Sequence, residues 1–383
     1  MSENKIYFKF DGKTYGGNEG DTIAAALLRN KVKLVGRSFK YHRPRGIYTC
    51  GIEEPNALVQ IINEHNEPNV RATIKKIYEG MVVKSQNRWP SLKRDFGSIN
   101  NLLSPIFSAG FYYKTFMGPK GFWKNIYEPL IRRTAGLGKP PREFRSKSVH
   151  LHHNTDVLIV GSGLAGLLAA KKLAGTDHDV LLIERDDLLG GNLRNTKKIK
   201  SIDDQKPVNW IEKTEWLIKN SKNIKVLKNT TVTTYNYNNH LIAFEDKSVG
   251  RPQDDSKPEL VLHKIRAKHT ILANGYIERF LSFRNNDLPG VMLAASFEKY
   301  IHRYGVVPDE SPIIFTNNSS TFSLVDSLLT LGHKPKAYID VRDQKKIEKE
   351  TLDLLTKHGI PLYAKSEVEG CEGKNEIEKV SVR

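Results

Sequence analysis

The stretch that decides the fold reads Val157-Leu-Ile-Val-Gly161-Ser-Gly163-Leu-Ala-Gly166, an apolar run that leads into spaced glycines. The run predicts a strand buried on both faces, and the residues after it, up to Leu173, predict a helix. The first glycine would make the tight turn, the second would let a diphosphate approach the backbone, and the third would let the helix pack on the strand. The stretch therefore predicts the dinucleotide-binding turn of a βαβ unit; a glycine-rich turn of another βαβ fold is the alternative.

An acidic residue stands where a dinucleotide-binding unit needs one. Asp179-Val-Leu-Leu-Ile-Glu184 predicts the second strand, and Glu184 ends it at the expected distance from the glycines. A carboxylate there can accept both hydroxyls of an adenosine ribose and repels a 2′-phosphate, which favours NAD over NADP. Arg185 works against this preference, because an arginine can accommodate the extra phosphate.

Two later segments are typical of flavoprotein-type dinucleotide domains. The doublet Gly190-Gly191 follows the acid within a few residues, where it would pass close to the nucleotide. Thr270-Ile-Leu-Ala-Asn-Gly275 predicts a strand that ends in a small-residue turn at the same site, with Asn274 where such domains carry threonine. Each segment alone is an ordinary turn. Together with the first motif they indicate an α/β protein with a Rossmann fold of the two-dinucleotide-binding-domain flavoprotein type.

Strand and helix signals recur towards the C-terminus. A strand over Ile313–Phe315, a helix over Phe322–Leu329 and a strand over Ala337–Asp340 predict a second nucleotide-type unit. We assign residues 155–305 to the first dinucleotide-binding domain and residues 306–383 to a partial, inserted second domain. Because such a chain must return to its first domain after the insertion, we expect a fragment of a longer polypeptide, incomplete at the C-terminus and with exposed apolar surface.

The first 86 residues predict a small β-grasp, ferredoxin-like domain. They open with the alternation Ile6-Tyr-Phe-Lys-Phe10, and Asp21 is expected to cap a helix over Thr22–Arg29. Further strands are expected over residues 56–62 and 71–74. Hairpin, helix and strands in this order are typical of a β-grasp fold.

Residues 87–154 form an irregular segment rich in aromatic and turn residues. Examples are Phe111-Tyr-Tyr113, Phe116-Met-Gly-Pro119, Gly121-Phe-Trp123 and Gly136-Leu-Gly-Lys-Pro-Pro141. The segment is too apolar for a free linker, so we expect it to connect the domains and to pack over a neighbouring domain or subunit.

Composition limits the remaining classes of function. Hydrophobic residues make up 39% and charged residues 27% of the 383 residues, and no apolar run has the length of a membrane span. The N-terminus lacks the apolar stretch of a secretory signal, so we expect a cytoplasmic protein without membrane attachment. The formal charge of +17 is spread along the chain in lysine pairs, which favours a solvated surface and no nucleic-acid partner. A basic nucleic-acid-binding protein is the alternative.

Reactive side chains are few. The two cysteines, Cys50 and Cys371, are far apart in sequence, which disfavours a disulfide or a cysteine-ligated metal. Flanking carboxylates are expected to raise the pKa of the Cys371 thiol. We interpret His42 as a structural or interface group, and the histidines of residues 150–153 as a solvated turn rather than a metal site. We therefore predict no catalytic and no metal-binding residue.

Several segments closely resemble the alpha subunit of heterotetrameric sarcosine oxidase. The most distinctive is Arg37-Ser-Phe-Lys-Tyr-His-Arg-Pro-Arg-Gly-Ile-Tyr-Thr-Cys-Gly-Ile-Glu-Glu-Pro-Asn56. The others are Tyr113-Lys-Thr-Phe-Met117, Tyr127-Glu-Pro, Ala135-Gly-Leu-Gly138, Glu278-Arg279, Asn286-Asp-Leu-Pro-Gly-Val-Met-Leu-Ala294 and Thr316-Asn-Asn318. The resemblance extends over nearly the whole chain.

The resemblance implies an activity and an assembly. It implies oxidative demethylation of sarcosine, or a related N-methyl amine, to glycine, with O2 as acceptor, H2O2 as product and one-carbon transfer to tetrahydrofolate. It also implies beta, gamma and delta partner subunits, with FAD and covalent FMN mainly on the beta subunit. In the first nucleotide site of the alpha subunit it implies NAD, held non-catalytically; FAD in that site is the alternative.

The expected cofactor-binding residues combine these motifs with the resemblance. They are Gly161, Gly163, Ala165, Gly166, Glu184, Arg185, Gly190, Gly191, Asn192, Val232 and Gly275. A stand-alone NAD(P)H-dependent FAD oxidoreductase is the competing interpretation, from which the lack of a Cys-x-x-Cys pair excludes only the disulfide-reducing subclass.

The N-terminal region resembles a ferredoxin-like domain that, in relatives, binds a two-iron two-sulfur cluster through four cysteines. Within residues 1–86 the sequence offers Cys50 alone. We therefore expect this domain to fold without an iron–sulfur cluster.

Overall fold

The computed structural model describes residues 4–63, 66–102, 118–129, 147–252, 254 and 256–383. Much of the aromatic connecting segment, including Phe111–Tyr113 and residues 136–141, lies outside the described residues. The chain divides into two compact units. One comprises Met1–Glu143, Phe280–Phe297 and Val306–Arg383, and the other comprises Phe144–Arg279 and Glu298–Gly305. The domain limits drawn from the sequence stay predictions.

The first unit begins with a β-grasp sheet and its helix. The elements are β1 (Lys5–Phe10), β2 (Lys13–Asn18), α1 (Ile23–Arg29), β3 (Gly36–Arg37), β4 (Pro44–Arg45), β5 (Leu58–Ile61), β6 (Glu67–Arg71) and β7 (Val82–Ser85). The five-stranded sheet has the order β2-β1-β7-β5-β6, with β1 and β7 parallel and the other neighbours antiparallel. Phe8 and Phe10 are buried on the same face of β1, as the alternation predicted, and the apolar residues of α1 are buried. The ferredoxin-like fold of this region is confirmed.

Two local predictions in this domain are wrong. Thr22 caps α1 instead of Asp21, because its hydroxyl accepts a hydrogen bond from a backbone N–H in the first turn at 3.2 Å. Asp21 instead accepts a hydrogen bond from Nε of Arg29 at 3.0 Å. The strand expected over residues 71–74 stops at Arg71, because the N–H groups of Ile74 and Lys75 bond back to the Arg71 carbonyl and close a turn.

The second unit is built on a Rossmann-type sheet. Its elements are β8 (Lys147–Val160), α2 (Leu164–Leu173), β9 (Val180–Ile183), α3 (Pro207–Asn220), β10 (Ile224–Leu227), β11 (Thr230–Asn236), β12 (His240–Asp246), β13 (Pro258–Leu272) and the part of α4 (Ala294–Tyr304) from Glu298 onwards. The sheet order is β10-β9-β8-β13-β12-β11; the first four strands run parallel, and β12 and β11 continue antiparallel. Val157 and Ile159 pack into one core cluster, and Leu158 packs into another. A strand covered on both faces needs a continuous apolar run, which explains the sequence at residues 157–160.

β8 is longer than predicted. It begins at Lys147 and pairs with β13 along nearly its whole length, ending with Val160 opposite Leu272. The histidines of residues 150–153, interpreted as a solvated turn, lie inside this strand, where His153 stacks on His263 with ring centroids 5.1 Å apart. Most side chains in this half of the strand are exposed, so no apolar run marks it.

The first unit also contains a small parallel sheet. Its elements are β14 (Ile313–Thr316), α5 (Phe322–Thr330), β15 (Ala337–Asp340), α6 (Lys349–Lys357) and β16 (Leu362–Ala364), followed by the hairpin of β17 (Val368–Glu372) and β18 (Lys379–Val382). The order is β14-β15-β16, all parallel, so the strand–helix–strand pattern expected from residue 313 is present. Within the described ranges, no helix has both the length and the apolar character needed to cross a bilayer.

Candidate functional site

Packing within the protein explains two of the three motif glycines. Gly161 follows β8 with φ at +97°, and a Cβ there would lie 2.5 Å from the carbonyl oxygen of Ala273. A Cβ on Gly166 would overlap the carbonyl oxygen of Gly161. These positions need glycine for the turn and for close helix–strand contact, as the motif predicts.

Gly163 has no such packing reason to be glycine. It is the N-cap of α2 with φ −67° and ψ −171°, a conformation that any L residue can adopt, and a Cβ there would meet no described atom within 4 Å. No side chain caps this helix, and Ala165 in its first turn is exposed. Open backbone N–H groups and the positive end of the helix dipole attract phosphate, so this turn fits a diphosphate.

The glycine doublet lies against the same turn. The N–H of Gly190 donates to the carbonyl oxygen of Ser162 at 2.9 Å, and a Cβ on Gly191 would lie 3.1 Å from Cα of Gly163. Both doublet residues have positive φ, +113° and +50°. The doublet therefore borders the open space beside Gly163, and Asn192 next to it is exposed.

Glu184 is buried at the end of β9 and already holds the turn together. Its Oε2 accepts hydrogen bonds from the backbone N–H and the hydroxyl of Ser162 at 2.8 and 2.5 Å, and its Oε1 accepts one from the N–H of Asp186 at 2.9 Å. A carboxylate offers about four acceptor positions, which leaves roughly one, on Oε1, for a ribose hydroxyl. For Glu184 to accept both hydroxyls, the Ser162 hydroxyl has to turn away.

The other expected residues lie around the same strand ends. Arg185 and Gly275 are exposed, and Gly275 has φ at +70° in the turn after β13. Val232 is half-buried in β11 beside a break in register, and β11 is tied to Glu184 by a bond from the N–H of Thr230 to the Glu184 carbonyl at 2.9 Å. Since β8, β9 and β13 run parallel, these turns share one edge of the sheet.

Sequence reasoning missed the residues that position Glu184. Ser162 lies between the first two glycines of the motif, and its N–H donates to one carboxylate oxygen of Glu184. The N–H of Asp186 donates to the other. Arg303 of α4 in turn donates from Nη1 to Asp186 and from Nη2 to Asp187, both at 2.7 Å. The serine in the motif was a usable signal, but nothing near the motif points to an arginine that follows Asp186 by 117 positions.

The side chains considered as possible reactive groups lie in structural environments. Nδ1 of His42 lies 2.8 Å from a carboxylate oxygen of Asp95, whose side chain is fully buried, which indicates a structural pair. Burial raises the pKa of the Cys371 thiol to about 11, so the cause is burial rather than the flanking carboxylates that we expected. Among the residues that the structure describes, no group of three or more His, Cys, Asp or Glu is placed to hold a metal ion.

A buried carboxylate organises one loop of the β-grasp domain. Glu54 is 2% exposed, and its oxygens accept hydrogen bonds from backbone N–H groups on both sides of it in sequence. The donors are Tyr48, Thr49, Asn56 and Ala57, at 3.0, 2.6, 2.8 and 2.9 Å. Burial raises the pKa of Glu54 against the opposing effect of these bonds. The loop is therefore shaped around this side chain.

Two family models match parts of the chain. Residues 3–88 match the family described as a 2Fe-2S iron-sulfur cluster binding domain, and residues 159–222 match the family described as an NAD(P)-binding Rossmann-like domain. The second match contains the glycine turn, Glu184 and the glycine doublet.

Curated relatives are similar over most of the chain. Sarcosine oxidase subunit alpha of Rhizobium meliloti (strain 1021) is 41% identical over 375 residues, which cover 94% of this chain and 37% of that protein. Sarcosine oxidase subunit alpha of Corynebacterium sp. (strain P-1) is 31% identical over 329 residues, covering 84% of this chain and 29% of that protein. The chain thus spans about a third of the length of these relatives.

A solved structure has a similar fold. The crystal structure of L-proline dehydrogenase from P. horikoshii superposes with a TM-score of 0.62 at 19% identity, covering 99% of this chain and 57% of that chain. At this identity the likeness concerns the fold alone.

The first family match contradicts one expectation. We expected no iron–sulfur cluster in the N-terminal domain, whereas residues 3–88 match a family that is described as binding one. The cofactor classes of the matched families are therefore iron–sulfur and NAD(P). A two-iron two-sulfur cluster commonly takes four thiolates, and residues 3–88 contain only Cys50, which is buried. These residues do not make up that ligand set.

Proposed function

Because the chain is a homologue of the N-terminal part of the alpha subunit of sarcosine oxidase, we propose that it is the NAD-binding part of such an oxidoreductase. The diphosphate of NAD lies at the N-terminus of α2, and the adenosine ribose lies beside Glu184. The site is the edge of the sheet where β8, β9 and β13 end.

The observation that carries this proposal is the open space beside Gly163. Protein packing accounts for the glycines at positions 161 and 166, whereas a Cβ at position 163 would meet no described atom within 4 Å. A phosphate that approaches the backbone accounts for the glycine at position 163. The uncapped helix and the bordering doublet support the same placement.

The remaining expected residues surround the nucleotide. Glu184 accepts a ribose hydroxyl and repels a 2′-phosphate. The positive charge of the exposed Arg185 weakens that repulsion. Asn192 follows the glycine doublet, Val232 lies near the start of β11, and Gly275 lies in the turn after β13. Bound NAD supplies a nicotinamide that can accept a hydride; we propose that it is held here without turning over.

The proposal extends to the activity and the subunits of the complete enzyme. We propose that it demethylates sarcosine, or a related N-methyl amine, to glycine with formation of H2O2, and passes the one-carbon unit to tetrahydrofolate. Beta, gamma and delta subunits assemble with this chain, and the flavins that oxidise the amine sit mainly on the beta subunit. The share of the relatives' length that this chain covers, 37% and 29%, leaves room for these other activities outside it.

The test is to identify the nucleotide by mass spectrometry after release from the native complex and from this chain alone. The proposal expects NAD in a one-to-one ratio with the chain, and no flavin absorbance from the chain alone. A yellow chain that releases FAD and is reduced by NADH would support the stand-alone FAD oxidoreductase instead. Release of no nucleotide, together with no binding of NAD in a calorimetric titration, would refute the NAD site.

A further inference from the structure

Arg303 forms ion pairs with two aspartates in the turn that follows β9. Its Nη1 lies 2.7 Å from Oδ2 of Asp186, and its Nη2 lies 2.7 Å from Oδ1 of Asp187. The Arg303 side chain is 12% exposed, and the two aspartate side chains are 31% and 30% exposed. Charge-assisted bonds to two different residues fix the orientation of the turn more firmly than a single exposed ion pair would.

The same turn holds Glu184. The N–H of Asp186 donates to Oε1 of Glu184 at 2.9 Å, and the carbonyl oxygen of Asp186 accepts from the N–H of Asn229 at 3.2 Å. Glu184 in turn accepts from Ser162 in the glycine turn. A continuous chain of hydrogen bonds therefore leads from Arg303 to the nucleotide turn.

Charge gives Arg303 a second effect on this turn. Glu184, Asp186 and Asp187 place three carboxylates within four positions of the sequence. Burial would raise the pKa of Asp186, but Lys299, Arg303 and Arg185 together outweigh burial and hold the pKa below its usual value. Without Arg303 the carboxylates repel one another at short range, which favours a wider turn.

We propose that Arg303 is a positioning residue of the nucleotide site, which holds the turn of residues 185–187 so that Glu184 meets the ribose. The inference rests on the proposed NAD site. It separates two roles: Glu184 chooses between NAD and NADP by its charge, whereas Arg303 sets the affinity for both by geometry.

The first experiment measures nucleotide binding by calorimetry on the full chain and its variants. Arg303→Met should weaken NAD at least tenfold and keep the preference for NAD over NADP, because the negative charge of Glu184 remains in the site. Arg303→Lys should recover part of the affinity, since lysine keeps the charge but cannot span both aspartates. In a chain that already carries Asp186→Asn and Asp187→Asn, Arg303→Met should cause little further loss of NAD affinity.

The control is Arg251→Met, which removes an arginine of the same unit that pairs with Glu259 at 3.1 Å in the β12–β13 hairpin. It should leave NAD affinity unchanged. Equal NAD affinity in wild type and Arg303→Met would overturn the proposal. So would a relaxed preference for NAD over NADP, because it would give Arg303 the role of Glu184.

The second experiment needs no nucleotide, so it separates failure of this inference from failure of the NAD site. Amide hydrogen exchange of the nucleotide-free chain should accelerate in Arg303→Met at Ser162, Asp186 and Asn229, and should stay unchanged in Arg251→Met. If exchange accelerates but wild type binds no NAD, the positioning of Glu184 stands and the proposed ligand is wrong. Unchanged exchange at all three amides would overturn the positioning role, whatever the ligand.

Discussion

Two strand–turn–helix–strand units among the described residues, β8–α2–β9 and β14–α5–β15, have the same topology, and their turns differ in how they are filled. In β8–α2–β9, Gly163 leaves open space at the N-terminus of the helix. In β14–α5–β15, side chains of the turn form hydrogen bonds with the backbone of the same turn. There, the hydroxyl of Thr316 donates to the carbonyl oxygen of Asn318 at 2.8 Å, and Oδ1 of Asn318 accepts from the N–H of Ser320 at 2.7 Å.

The acids at the ends of the second strands differ in the same way. Glu184 keeps roughly one acceptor position for a ligand. The side chain of Asp340 is fully buried, and Arg342 donates to it from its backbone N–H at 2.8 Å and from Nε and Nη2 of its guanidinium at 3.0 and 2.8 Å. The two units share a topology, and turn chemistry decides whether the space at the N-terminus of the helix is open.

The largest effect is expected from closing the open turn. Valine at position 163 suits φ −67° and ψ −171°, so Gly163→Val should fold normally and fill the phosphate space. NAD affinity should fall by about 100-fold or more, which is ~2.7 kcal/mol, in calorimetric titration. Lys172→Val, at an exposed position near the end of the same helix, is the control and should bind like wild type. A Gly163→Val chain with wild-type affinity would remove the main support for the site.

The second-largest effect concerns the closed turn. Arg342→Met leaves the buried Asp340 carboxylate without its guanidinium partner, which should cost about 2–3 kcal/mol of unfolding free energy in urea titration. NAD affinity should not change. Lys365→Met, which removes an exposed lysine paired with Asp343, should cost less than about 1 kcal/mol. A loss of NAD affinity in Arg342→Met would mean that the two units are not as different as their turns indicate.

A smaller effect is expected from the charge of Glu184. Glu184→Gln keeps the shape of the side chain but removes the repulsion of a 2′-phosphate. NAD should bind about tenfold more weakly, ~1.4 kcal/mol, and the preference for NAD over NADP should narrow. Glu259→Gln, a buried glutamate at the start of β13, is the matched control and should leave both affinities unchanged. Unchanged affinity for both nucleotides in Glu184→Gln would refute the ribose assignment.

The smallest effect is a pH dependence of the turn after β9. The folded-state pKa of Asp186 lies below its ordinary value of 3.8, so its charge stabilises the fold above the unfolded-state pKa and the effect is lost as pH falls through the folded-state pKa. The unfolding free energies of wild type and Asp186→Asn should differ by about 1 kcal/mol or less near neutral pH. Thermal unfolding as a function of pH should show this gap closing only in the acid range. A difference in unfolding free energy that stays constant down to the most acid pH would contradict the lowered pKa of Asp186.

Much of the fold was predictable because it follows from local rules. The apolar run at residues 157–160 and the alternation in β1 each predicted a strand that the structure contains. The exposed first half of β8 was missed, since a strand whose side chains face solvent carries no periodic signal. At α1 two neighbouring residues could each cap the helix; Thr22 does so, while Asp21 pairs with Arg29 at the end of the same helix.

The sequence by itself determined the glycine turn, the acid at the end of β9 and the succession of strand, helix and strand around them, because steric demands on glycine and apolar periodicity act over a few residues. Only the tertiary structure decided which acceptor positions of Glu184 are filled, that Arg303 holds the turn beside it, and that one turn is open while the other is closed. These features depend on hydrogen bonds and ion pairs between residues far apart in the chain or on the rotamer of a single side chain, and neither leaves a pattern in the sequence.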